Sequence, residues 1–230
     1  MKKILLGACC TMLSVAMYAQ TKPTVILKGG VNFANISDKS SGGYDDGKTL
    51  TSFNVGAALD LPFTKGFSFQ PGLMVSGKGS KLESGSSSDA TYYRSTTNPI
   101  YLEMPLNFVG TIPLGDKAGV FLGAGPYVAM GIGGKNKVEG KYLGASFSSE
   151  NKIDFSNDDP TTLDYEEDAG IGKMKRFDLG ANVMAGIDFG KVLVGANYGF
   201  GFTKINSGSD NSTDNKNKNR VLSLSLGIKL

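Results

Sequence analysis

Residues 100–132 read IYLEMPLNFVGTIPLGDKAGVFLGAGPYVAMGI, with apolar side chains at every second position on both sides of the turn 113–117. Before the turn, Ile100, Leu102, Met104, Leu106, Phe108 and Ile112 share one face, and Tyr101, Glu103, Asn107 and Thr111 share the other. After it, Val120, Leu122, Ala124, Val128, Met130 and Ile132 oppose Gly123, Gly125, Ala129 and Gly131. Period two means strand, and two such runs about a Gly-Asp turn predict a hairpin. One face is greasy, while the other is polar or nearly bare. A soluble barrel turns its large apolar residues inward; the inverse pattern suits a barrel that shows them to lipid.

The alternation recurs along the chain. Val25, Leu27, Val31 and Phe33 oppose Lys28, Gly30 and Asn32; Phe53, Val55, Ala57, Leu59 and Leu61 oppose Ser52, Asn54, Gly56 and Asp60. Phe67, Phe69, Leu73 and Val75 oppose Ser68, Gln70, Gly72, Ser76 and Lys78. Later runs set Phe177, Leu179, Val183, Ile187 and Phe189 against Asp178, Gly180, Asn182, Gly186 and Asp188, and Val192, Val194, Ala196, Tyr198, Phe200 and Phe202 against Gly195, Asn197, Gly199, Gly201 and Thr203. The last run sets Leu222, Leu224, Leu226, Ile228 and Leu230 against Ser223, Ser225, Gly227 and Lys229. Each is long enough to cross a bilayer at a tilt, which takes about 9–11 residues.

Short turns at 62–66, 113–117 and 190–191 alternate with long polar loops at 37–50, 79–98, 134–176 and 204–219. That asymmetry predicts an all-β, eight-stranded antiparallel up-and-down transmembrane barrel, with the short turns facing the periplasm. Phe63, Phe67 and Phe189 at one rim and Phe33, Phe53, Phe177 and Phe202 at the other form candidate interfacial girdles, without tryptophan. Pro71, Pro105 and Pro126 fall inside runs, where a residue lacking an N–H predicts β-bulges. Partial alternation at 137–143 and 145–155 predicts strands prolonged above the membrane or a further hairpin, with ten strands as the alternative.

The chain opens Met1-Lys2-Lys3, runs apolar to Met17 and continues Tyr18-Ala19-Gln20. This reads as a cleaved secretory signal peptide over 1–19, with the barrel over 20–230. A lipoprotein signal ending before Cys9 is the rival reading, and a retained helix would fall short of the roughly 20 apolar residues a span needs. Both cysteines, Cys9 and Cys10, lie in that leader. The net charge of +3 includes Lys2 and Lys3, so the mature chain is near neutral and carries no nucleic-acid footprint.

With no histidine anywhere and no cysteine after Cys10, a Ser-His-Asp, Cys-His or His-based zinc site cannot be assembled, so the chain is read as non-enzymatic and without a cofactor. Gly123-Ala124-Gly125 lies within a strand run and precedes Pro126, so it fails as a dinucleotide motif. Lys28, Asp60, Lys78, Glu103, Arg176, Asp178, Asp188, Lys204 and Lys229 all have inward parity. Charges of both signs in so narrow a lumen must pair, which predicts a salt-bridged plug in preference to an ion path. The stretch 150–168 concentrates carboxylates against Lys152 alone, without the spacing of a calcium loop; it reads as a solvated acidic loop able to reach lipopolysaccharide through divalent cations. The Asn-rich stretch 206–219 reads as an exposed loop suited to surface contact.

Several of these runs, LKGGVNFANIS (27–37), FSFQPGLMVSGKG (67–79), YLEMPLNF (101–108), FLGAGPYVAMG (121–131), FDLGANVMAGIDF (177–189) and NRVLSLSLGIKL (219–230), resemble the Bacteroidetes outer-membrane β-barrel family called PorT-like. The resemblance implies an eight-stranded OmpA-like barrel in a Gram-negative outer membrane, in contact with its lipid and lipopolysaccharide and inserted by the barrel assembly machinery. It also implies an accessory role beside secretion-system components that export proteins bearing C-terminal sorting domains. Members commonly end in an aromatic residue, whereas this chain ends in Leu230. A small channel and a surface adhesin are the competing functions.

Overall fold

The computed structural model describes residues 22–37, 48–86, 88–115, 118–155, 174–205 and 218–230. The expected leader lies outside them. Ten strands follow in order: β1 (Thr24–Ser37), β2 (Leu50–Thr64), β3 (Phe67–Gly77), β4 (Ser80–Ser84), β5 (Tyr92–Leu114), β6 (Ala118–Tyr142), β7 (Ala145–Lys152), β8 (Phe177–Asp188), β9 (Val192–Gly201) and β10 (Lys218–Lys229). Eight of them, β1, β2, β3, β5, β6, β8, β9 and β10, form a closed antiparallel up-and-down ring in that circular order. The first and last strands seal it, from Ile26↔Lys229 to Ser37↔Lys218.

The side chains sort as alternation requires. Leu73, Phe108, Leu122, Val183 and Leu226 are exposed outside, and all seven girdle phenylalanines are exposed as well. Asn32, Asn54, Gln70, Ser76, Asn107 and Asn182 are buried inside. Water would leave that outer surface a very large apolar patch; lipid removes the penalty. The inner face is less bare than its glycines suggest, for Ile26, Val109, Phe121 and Leu193 pack together within the ring, with Met184 against them.

The prolines correct an expectation. Pro71 pairs with Leu106, Pro105 with Tyr127 and Pro126 with Ala181, all in unbroken register. Register shifts occur elsewhere, between Pro62 and Thr64 on β2–β3 and between Ile100 and Tyr101 on β5–β6. Beside each proline the ladder opens instead of bulging. Pairing on β5–β6 skips from Pro105↔Tyr127 to Phe108↔Ala124, and on β2–β3 from Ala58↔Gly72 to Leu61↔Phe69. A two-residue gap absorbs a missing donor without adding a residue to either strand.

The two strands outside the ring belong to its prolonged wall. β5 and β6 have 23 and 25 residues, about twice what a tilted crossing needs. Their outer halves gain β4 on one side and β7 on the other, giving a four-stranded sheet β4-β5-β6-β7 above the ring. The alternative of a ten-stranded barrel therefore does not hold. β6 and β7 are joined by Leu143 and Gly144, both with positive φ, the two-residue turn that matches strand twist. At the sheet's foot the buried Pro99 is flanked by Gly79 and Gly134, whose φ values of +134° and +151° admit almost only glycine.

Candidate functional site: a crossed lumen and an outer platform

Lys78 follows the last residue of β3 and is 2% exposed. Its Nζ lies 2.7 Å from Glu103 Oε2 on β5 and 3.1 Å from Asp178 Oδ2 on β8. β3 and β8 stand three places apart in a ring of eight, so the side chain is a bar across the lumen near its outer mouth. The ammonium also lies 4.1 Å from the Tyr127 ring centre and 5.3 Å from that of Tyr101, within cation–π range. Asp178 accepts hydrogen bonds from the Tyr127 hydroxyl (3.1 Å), Asn219 Nδ2 (2.9 Å) and the Thr203 hydroxyl (2.8 Å). One carboxylate thus ties together β3, β6, β8, β10 and the segment after β9. Above the bar, Phe155 meets Tyr101 edge-on at 5.9 Å and completes an apolar cluster with Tyr127 and Ala129.

Below the bar lies a polar layer built on Asn32, whose amide donates to the Phe53 and Gly77 carbonyls and to Ser76 Oγ. Its Oδ1 accepts from Asn54 Nδ2 and the Ser223 hydroxyl, so every polar atom of this fully buried side chain is engaged. Beneath it a cavity of about 110 Å³ is lined by polar Lys28, Asp60, Gln70 and Asn107 on one part and by Phe121, Met184 and Leu193 on another. Lys28 Nζ approaches Gln70 Oε1 at 3.5 Å, and Gln70 Nε2 donates to Asp60 Oδ1 at 3.0 Å. Lys229 pairs with Asp188 at the same end.

The inward charges therefore fall into three groups: Lys78–Glu103–Asp178, Lys28–Gln70–Asp60 and Lys229–Asp188. Arg176 stands apart. It is exposed at the outer rim, its guanidinium 3.4 Å from the Phe155 carbonyl, because β8 begins only at Phe177 and alternation does not reach one residue earlier. Lys204 is half-buried beyond the end of β9. Tyr127 and Asn219 have inward positions in their runs, the one signal by which the sequence could have nominated them. Of the acidic stretch, Glu150 and Asp154 are described and 156–168 lie outside the described residues, as do 206–217 of the Asn-rich stretch. Among the described residues no group of three carboxylates converges as a metal site.

The platform carries a second charge system. Glu83 meets Lys48, Lys81 and Arg94 at 2.6–2.8 Å, and Arg94 passes on to Glu139, which also holds Lys137. Lys48, then Lys81 and Arg94, hold the Glu83 carboxyl down to about 2; Lys137 and Arg94 lower Glu139, and Lys135 lowers Glu150. Carboxylates with depressed folded values stabilise the sheet above the unfolded value of 4.5, and this support drains as pH falls towards about 2. Amide hydrogen exchange at pH 7 and pH 3, corrected for intrinsic rates, is expected to show β4 and β7 losing protection at pH 3 while β1 and β10 keep theirs. Equal retention in all four strands would show that these pairs contribute nothing.

A closed antiparallel ring, apolar outside and charged within, is the build of a membrane-spanning barrel. The chain belongs to the outer membrane protein beta-barrel domain family, whose model matches residues 18–207, and it is an outer-membrane protein. Among solved structures it is similar to Ail, the attachment invasion locus protein of Yersinia pestis, at 11% identity and a TM-score of 0.38. It is also similar to Ail in complex with the heparin analogue sucrose octasulfate (12%, 0.40) and to Neisserial surface protein A (12%, 0.42). Each comparison covers 91% of this chain and 100% of the other. No curated protein matches the chain.

Proposed function

We propose that this barrel is a non-enzymatic anchor that holds a rigid sheet above the outer membrane as a platform for partners. The observation that supports this most is the prolonged wall: β5 and β6 continue past the ring, recruit β4 and β7, and are laced by the Glu83–Arg94–Glu139 ion pairs. A flexible loop would meet partners with a larger ordering cost than a preformed sheet. The lumen, crossed by Lys78, serves this reading as a brace and not as a route. The accessory role in export implied by the PorT-like resemblance would use the same platform, or the periplasmic turns, as its docking surface.

The test compares three strains: the parent, a deletion, and one in which residues 136–151 are replaced by a two-residue turn. Loss of C-terminally sorted proteins from the medium, with accumulation in the periplasm, is expected of both altered strains if the platform serves export. An unchanged secreted set with altered binding of cells to surfaces would keep the platform and remove the export role. If neither changes and the purified barrel conducts ions in a planar bilayer, the platform reading fails and a channel replaces it.

A further inference from the structure

The cavity beneath the Asn32 layer has two unlike sides. Lys28, Asp60 and Gln70 stand on β1, β2 and β3, and Phe121, Met184 and Leu193 stand on β6, β8 and β9, the strands opposite them in the ring. A polar group of side chains therefore faces an apolar one across the lumen. Above, the Asn32 layer and the Lys78 bar close the way to the outer mouth. Below, Asp188 and Lys229 line the cavity where β8 and β10 end, so a solute reaches it from the periplasmic side.

Of the charged side chains lining the cavity, Glu103 is held by Lys78 and Asp188 by Lys229. Lys28 and Asp60 remain, one of each sign, and they do not join each other. The Gln70 amide stands between them, its Oε1 3.5 Å from the ammonium and its Nε2 donating to the carboxylate at 3.0 Å. The first contact is at the limit of a hydrogen bond, and among the described residues neither charge has another. Asn107, directly across from Gln70 on β5, is 6% exposed, lines the same cavity, and its Oδ1 has no hydrogen-bond partner. A buried site with a spare cation, a spare carboxylate and an orphaned acceptor is complementary to a molecule bearing both charges and no net charge. At about 110 Å³ it is smaller than the roughly 150 Å³ that holds benzene, which suits an aliphatic side chain better than a ring.

We propose that this cavity binds a zwitterionic α-amino acid with a small aliphatic side chain. Its carboxylate meets Lys28, its ammonium meets Asp60 and the Asn107 Oδ1, and its side chain lies against Phe121, Met184 and Leu193. The two charged groups of an α-amino acid sit on one carbon, and a hydrogen bond of about 2.8 Å at each end lets them span the gap beside the Gln70 amide. The closed outer end makes this a binding site and not a passage. The inference goes beyond the platform reading and does not rest on it, so either can fail alone.

The experiment is NMR of the purified full chain in detergent with isotope-labelled methionine methyls, the Met184 signal being assigned through Met184→Leu. Valine is expected to shift that signal saturably. Its affinity is expected to exceed that of isovalerate, which lacks the ammonium, of isobutylamine, which lacks the carboxylate, and of glycine, which lacks the side chain, by about 10-fold or more in each case. Lys28→Met is expected to bring the preference for valine over isobutylamine close to one, and Asp60→Asn the preference over isovalerate. The gel shift between unheated and heated protein is expected to stay that of the parent in both. A purely structural role for the two residues would not produce that crossed pattern. If a variant fails to fold, the ligand series on the parent decides alone. A Met184 signal that valine leaves unmoved, equal responses to valine and any of the three fragments, or preferences that survive in both variants would overturn the proposal.

Discussion

Lys78→Met is expected to destabilise the folded barrel by about 3–5 kcal/mol, the usual cost of breaking a buried ion pair from one side. The substitution keeps most of the side-chain volume, so the loss is electrostatic. Glu103 and Asp178 would then share the outer mouth with no counter-charge, within a ring too narrow to hydrate them well. Asp178 would keep its bonds from Tyr127, Asn219 and Thr203, so Glu103 is the group left exposed to the penalty. Urea unfolding in lipid vesicles, read by the heat-dependent gel shift, measures the difference. Adding Glu103→Gln and Asp178→Asn to Lys78→Met is expected to recover most of it, because a neutral trio needs no counter-charge. A single variant as stable as the parent would mean the bar is an ornament of the lumen and the barrel is closed by its ladders alone.

The second large effect concerns space on the inner face. A Cβ at Gly56 would lie 2.1 Å from the Leu73 carbonyl oxygen and 2.7 Å from the Met74 Cα, both backbone atoms of the adjacent β3. Gly30 against β10 and Gly125 against β5 meet the same obstruction, at 2.1 and 2.0 Å. At these places the neighbouring backbone comes closer than a Cβ allows, and glycine is the residue that lets a sheet curve tightly enough to close a small barrel. Gly56→Ala is expected to cost about 1–3 kcal/mol, and Gly56→Val more, because backbone must move to make room. Gly133→Ala, where no atom comes within 4 Å, is the matched control and is expected to fold like the parent. Equal refolding yields for Gly56→Ala and Gly133→Ala would show that the curvature does not depend on these contacts.

Glycine shows how far sequence reading reaches. Its abundance, 32 of 230 residues, and its place on the inward parity are plain in the sequence, and residues without side chains inside a narrow barrel leave room for their neighbours. Part of that holds: Gly131 leaves room for the ring of Phe155, and Gly195 for that of Phe121. At Gly30, Gly56 and Gly125 the room is taken by backbone, which no residue pattern reveals because it depends on how sharply neighbouring strands coil. The prolines teach the same lesson from the other side. A missing N–H was legible, but whether the ladder answers with a bulge or a gap depends on which neighbour that N–H would have faced.

What the sequence determined by itself was every choice set by period two: eight wall strands, their inward and outward faces, the short turns and the rims of aromatic side chains. Alternation is local, so each run declares its faces without knowing its neighbours. The inward parity of Lys78, Glu103 and Asp178 was legible on the same ground. Only the tertiary structure decided that these three meet, that Tyr127 and Asn219 join them, and that Lys28 goes instead to Gln70. Partners on β3, β5 and β8 are brought level by strand register and by the tilt of a closed ring, quantities shared among strands and written in none of them. The platform has the same origin, since β4 and β7 are short runs that count as strands only where β5 and β6 already stand above the membrane to pair with them.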